Sequence, residues 1–307
     1  MPRPYTLFEV TIRTVQSRFL LRPAPLLNSL ILGVLGRALE KHPAIRLFAF
    51  KVASDHIHLI LAAPDVNSLA AFMNYVDGNI AREAGRLYNW RDKFWSRRYR
   101  PIAILDDASL VGRLKYLLAH GCKEGLVASP LDWPGASCER ALLFGEKLEG
   151  IWYDRTAFYK AERRGQNVRL EDFAVRYEVP LARLPMLEGK SEAEARAFYR
   201  NLVSEIEAET RQRCLDSGRE LLGVEAVLSA DPHSTARAPK RSPAPLCHAA
   251  GRRLRQTYRR AYRAFVSLYR RAVERLRDGD PEARFPEGCF LPPLLCPPHL
   301  VEAAAPG

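Results

Sequence analysis

An α+β fold, an antiparallel sheet with helices on one face, is the architecture this chain predicts, and two observations predict it. Segments that alternate apolar and polar residues with a period of two are interleaved with segments whose apolar residues recur every three or four positions, in the order strand, helix, strand, strand, helix, strand, helix. The two adjacent strands are separated only by Ala53-Ser54-Asp55, a spacing that makes them a hairpin. That order is the split-βαβ, ferredoxin-like pattern.

Each element follows from local chemistry. Residues 5–15 set Leu7, Glu9 and Thr11 against Phe8, Val10 and Ile12, the signature of a half-buried strand. Residues 25–41 carry Leu27, Leu30, Ile31, Val34, Leu35, Ala38 and Leu39 at helical steps, and His42-Pro43 ends the helix because the residue before a proline disfavours the helical region. The runs 45–52 and 56–61 form the hairpin, and a second helix is expected over 68–88. The stretch from Asp92 to Leu105 reads as a basic strand region, and Asp106-Asp107 supplies capping oxygens for a third helix closed by Gly121. These elements make a first domain of residues 1–145.

The chain has 307 residues, about two domains long at roughly 150 residues per domain. Its 47% hydrophobic and 27% charged residues exclude collagen-like, fully disordered and disulfide-scaffold classes. The net charge of +12 favours a polyanion such as nucleic acid or an acidic membrane surface. The six cysteines include no Cys-x-x-Cys pair, which fits reduced thiols, and no apolar run approaches a membrane span or a secretory core; a cytoplasmic protein with no membrane partner is the expectation.

Beyond the first domain, residues 146–230 read as a mixed, mainly helical extension and 231–246 as a proline-rich linker. Residues 247–307 hold a basic amphipathic helix, with ten arginines against one glutamate from Gly251 to Arg277, and a proline-rich tail.

The sharpest chemical feature is His56-Ile57-His58 in a predicted strand, because residues two apart point to one face and two imidazoles there stand at metal-binding separation. Two half-exposed sheet histidines would look the same. On the third helix Tyr116 and His120 lie four residues apart and share a face. If that face meets the His56/His58 strand, His120 completes a three-imidazole site with a tyrosine nucleophile beside it. Arg86, Arg91, Lys93, Arg97, Arg98 and Arg100 are interleaved with Tyr88, Trp90, Phe94, Trp95 and Tyr99, the mixture of cations and rings that a single nucleic-acid strand requires.

These residues resemble the single-tyrosine transposases of the HUH superfamily, in particular the REP-associated tyrosine transposases. His56-Ile57-His58 matches the motif that names the superfamily. The segment from Tyr116 through His120, Lys123, Gly125, Leu126 and Val127 lies without a gap over the family's tyrosine segment, and Trp133-Pro134 with Ser137 resembles its end. The resemblance covers residues 1–145 and implies a ferredoxin-like fold, Tyr116 as nucleophile, and a divalent metal held by His56, His58 and His120. It further implies cleavage and rejoining of single-stranded DNA beside REP-like hairpins through a 5′-phosphotyrosine. Lys123 joins Arg86, Arg91, Lys93, Trp95, Arg97, Arg98 and Arg100 as expected DNA contacts, and a homodimer is left open. His120-Gly121 replaces the family's Asn-Pro, and three imidazoles suit Mn²⁺, Co²⁺ or Zn²⁺ better than Mg²⁺, so Mg²⁺ or Mn²⁺ is implied by resemblance while the ligand set leaves the identity open. A domesticated, non-catalytic DNA- or RNA-binding protein of the same fold is the alternative.

Overall fold

The computed structural model describes residues 5–235 and 245–289. Most of the expected linker 231–246 and the end of the proline-rich tail lie outside the described residues. The first domain is built in the expected order: β1 (Thr6–Arg13), α1 (Pro25–Lys41), β2 (Arg46–Val52), β3 (His56–Ala63), α2 (Val66–Leu87), β4 (Arg100–Ile104) and α3 (Asp107–Leu118). Then come α4 (Glu139–Phe144), β5 (Glu149–Tyr153), α5 (Arg155–Arg163), β6 (Ala174–Glu178), α6 (Glu192–Ser217), α7 (Gly223–Ser229), β7 (Cys247–His248) and α8 (Arg252–Arg277).

The main sheet has strand order β2-β3-β1-β4-β7, antiparallel except where β7 joins β4 in parallel. Its first four strands have ferredoxin-like topology, as expected. The registers Thr11↔His58, Arg13↔His56 and Lys51↔His58 place Glu9, Thr11, Arg13 and Lys51 on the face of the two histidines. Ile57, Leu59 and Leu61, all buried, occupy the opposite face, where α1 and α2 pack together. α3 lies over the histidine face, since Lys51 on that face donates from Nζ to Leu118 O (3.2 Å) at the end of α3.

The strand expected from Asp92 shrinks to Arg100–Ile104. Asn89 turns with φ 52°, and residues 91–99 form a loop held by a lone bridge between Thr14 and Trp95 and by Trp95 Nε1 donating to Asp77 O (2.9 Å). Here the indole nitrogen and isolated backbone contacts replace a continuous ladder.

The extension is anchored through glycine. Gly33 and Gly36, which interrupt the apolar face of α1, let the β5–β6 hairpin lie directly on the helix: a Cβ on Gly33 would come closer than 3.0 Å to the Ile151 carbonyl, and one on Gly36 would lie 2.6 Å from Glu178 O. Arg37 reinforces the contact, its guanidinium 3.4 Å over the Trp152 ring and donating to Tyr177 Oη (3.0 Å). In an open helix Gly→Ala gains about 1 kcal/mol of propensity, whereas forcing a methyl into a packed contact costs about 1–3 kcal/mol or more. Gly33→Ala is therefore expected to lower stability by about 2 kcal/mol in urea titration and expose the hairpin to protease. Gly112→Ala, on α3 with nothing within 4 Å of the new methyl, is expected to be neutral or stabilising.

Candidate active site

His56 and His58 project from the start of β3, and their ring centroids lie 4.8 Å apart. The third imidazole arrives as expected but from just past the helix. α3 ends at Leu118; the His120 N–H closes the turn on Leu117 O (3.2 Å), and Gly121, with φ 91°, turns the chain away. The His120 ring lies 4.3 Å from that of His58 and 4.9 Å from that of His56. One ligand nitrogen from each residue falls within 4.8 Å of the others.

Tyr116 stands at the rim, its ring 5.1 Å from His120 and 5.9 Å from His58, and it is 40% exposed. Two cations face it: Arg113 with Cζ 3.9 Å from the ring centroid, and Lys123 with Nζ at 3.3 Å. Burial raises the pKa of the phenol, and the Arg113 charge opposes that rise. Lys123 donates to His120 Nε2 (2.9 Å), and burial pulls its ammonium down to about 8.

Two carboxylates lie behind the histidines. Asp55 accepts from His56 Nδ1 and from Arg13; burial opposes its ionisation, but these partners hold its pKa below the usual range. Glu9, buried at 2% exposure, accepts from Arg113 Nη2 (2.6 Å) and His248 Nε2 (2.8 Å) and lies 3.4 Å from His58 Nδ1. The donors outweigh burial and keep its carboxylate ionised far below the usual range. Lys51, fully buried, pairs with Glu139 (2.7 Å) while gripping Leu118 O, so an ion pair under the site fixes the end of α3.

The residues fit a divalent cation. His56 Nε2 is buried with no hydrogen-bond partner, which is what a nitrogen reserved for a metal looks like once Nδ1 is held by a carboxylate. Burial drives His58 down to about 3 and His120 well below its ordinary value, keeping both imidazoles neutral, the form that ligates. An ion taken by His120 Nε2 must displace the Lys123 ammonium.

The expected DNA contacts fall into three groups. Arg91, Lys93, Trp95, Arg97 and Arg98 line a cavity of about 690 Å³ under the loop, with Asp77 of α2 among its walls. Arg100 is exposed opposite Thr11, and the register gives it the histidine face, while Lys123 belongs to the tyrosine site. Arg86 stands apart, paired with Glu83 (2.9 Å). Glu9, Arg113, Lys51 and Asp77 were not singled out from sequence. Glu9 and Arg113 left a signal: an acid on the polar face of β1, and a cation three residues before Tyr116.

The profile of the family described as transposase, IS200 like, matches residues 31–116. No curated protein matches the chain. Among solved structures, a REP-associated tyrosine transposase bound to a REP hairpin is 19% identical, covering 47% of this chain and 86% of its own, with a TM-score of 0.37. A proposed transposase from Deinococcus radiodurans R1 is 16% identical, covering 36% and 88%, with a TM-score of 0.29. No helix among the described residues is long and apolar enough to cross a membrane.

Two measurements follow from this geometry. Co²⁺ at about 100-fold over its dissociation constant is expected to add about 2.7 kcal/mol of stability, read as a rise of several degrees in Tm with new visible absorption bands. His58→Ala and His120→Ala are expected to lose both signals and Tyr116→Phe to keep them; a shift surviving the histidine changes would place the ion elsewhere. The second concerns Asp77, whose Oδ1 is buried without a partner and whose carboxyl burial pushes up to about 8. The folded chain holds that proton while the unfolded chain releases it near pH 4, so stability is lost as pH rises from about 4 to about 8. Asp77→Asn is expected to match the native chain at pH 4 and exceed it by about 3 kcal/mol at pH 9 in urea titration.

Proposed function

We propose that this chain, whose residues 31–116 carry the IS200-like transposase signature, is an enzyme that cleaves and rejoins single-stranded DNA beside short hairpins with Tyr116 as nucleophile. The observation that carries the reading is the juxtaposition of a half-exposed tyrosine, two cations on its ring and three clustered imidazoles. The Arg113 charge beside the ring opposes the rise that burial imposes on the phenol.

His56, His58 and His120 would hold a divalent cation, which when bound supplies Lewis acidity to a non-bridging phosphate oxygen. Tyr116 Oη attacks phosphorus in line, forming the O–P bond to the 5′ side, while the bond to the 3′ oxygen breaks and that oxygen leaves as a hydroxyl with the proton the phenol gives up. One phosphoester replaces another, so the step is reversible and the released 3′-hydroxyl can rejoin the strand without nucleotide hydrolysis. Arg113 and Lys123 favour the phenolate by charge, and Asp55 holds His56 with Nε2 inward. The basic, aromatic-lined loop 91–98 is suited to phosphates and bases of an unpaired strand.

The test mixes the full chain and Mn²⁺ with end-labelled single-stranded DNA carrying a hairpin, followed by a denaturing gel. A labelled band of protein size is expected with the native chain and absent with Tyr116→Phe. Tight hairpin binding with no adduct under Mg²⁺, Mn²⁺, Co²⁺ or Zn²⁺ would overturn the enzyme reading in favour of a binding protein of the same fold.

A further inference from the structure

Between α3 and the first turns of α8 lies a second cationic cavity, of about 420 Å³, whose polar walls are Ser109, Arg113, His248, Arg255 and Arg259, with no acid among its lining residues. None of it depends on the histidine cluster. Arg255 and Arg259 stand one turn apart on α8, both exposed, and neither makes an ion pair among the described residues. Glu9 and Asp106, close to the cavity, are both already engaged. Glu9 is held by Arg113 and His248. Asp106 accepts from Ser109 N at the start of α3 and from Ala250 N before α8, both at 2.7 Å.

Arg113 links this cavity to the tyrosine. One edge of its guanidinium is fixed on Glu9, its Cζ lies over the Tyr116 ring, and its Nε is buried with no hydrogen-bond partner. The Arg113 side chain keeps 22% of its surface exposed and lines the cavity, so an anion there meets the guanidinium charge. Arginines gathered on one cavity match a phosphodiester in particular, because its two non-bridging oxygens accept paired N–H donors.

We propose that the α3–α8 cavity seats a backbone phosphate of the DNA strand, next to the linkage that Tyr116 attacks. The assignment rests on the DNA-processing reading above, and it gives the C-terminal helix a defined place in the site: β7 and Asp106 pin the entry of α8 against α3, so its first arginines reach the substrate beside the nucleophile.

The test uses the full chain carrying Tyr116→Phe, without metal, and the anisotropy of a labelled hairpin oligonucleotide in which single linkages are replaced by neutral methylphosphonates. One linkage near the cut is expected to weaken binding about tenfold when neutralised, the size of one charge-assisted contact. Adding Arg255→Ala and Arg259→Ala, both exposed on α8, should weaken native DNA by about the same factor and leave that methylphosphonate costing less than twofold. Equal binding of native DNA with and without the two arginines overturns the seat. So does a methylphosphonate penalty that stays tenfold in the variant, since the arginines would then act only as general charge. Failure of Tyr116→Phe to bind any of the oligonucleotides would instead overturn the DNA-processing reading itself.

Discussion

Glu9 sits at the centre of β1 with almost no access to water, and a carboxylate in that position must be met by donors on every side or become protonated. The fold meets it from three directions. Arg113 comes from α3, His248 from β7, and His58 from β3 approaches without a well-formed hydrogen bond. α3 and β7 are tied to β1 through this carboxylate while it stays ionised. One buried acid thus ties the sheet to the helix carrying the tyrosine, and brings a strand from far along the chain into the same cluster.

Three acids lie behind the site, each engaged with a cation. Asp55, Glu9 and Glu139 are buried or nearly so and engaged with Arg13, Arg113 and Lys51. Lys123, by contrast, faces the tyrosine ring and His120, and its partial burial already makes the ammonium easier to discharge. The two most buried imidazoles carry no charge. On the open side Glu124 lies 3.6 Å from Lys123 and 3.4 Å from His120, so the lysine charge there is partly offset.

The ferredoxin-like domain and the three-imidazole cluster with its tyrosine were legible because they rest on short-range rules: period-two strands, a three-residue hairpin turn, and residues four apart on a helix. His120 met the cluster even though α3 stops two residues earlier, since the turn that closes the helix continues its direction. Most of the charge pairing beneath the site was not legible. Lys51 and Glu139, Glu9 and His248, and Asp55 and Arg13 are distant in sequence, and local periodicity carries no information on which buried charge faces which. The loop 91–99 misled for a related reason: alternating cations and aromatics imitate a strand, while Trp95 spends its N–H on a helix carbonyl.

β7 shows how a two-residue strand can matter more than its length suggests. Without it β4 would present an open edge beside the site, a row of unpaired backbone groups. By pairing Ile104 with His248 and taking the Leu105 N–H onto His248 O, β7 covers that edge and sets the histidine side chain on the face of Glu9. The parallel direction then carries the chain outward past Ala250, whose N–H is caught by the same Asp106 that caps α3. The start of the helix that carries Arg113 and Tyr116 and the entry of the arginine-rich helix are thereby tied to one carboxylate.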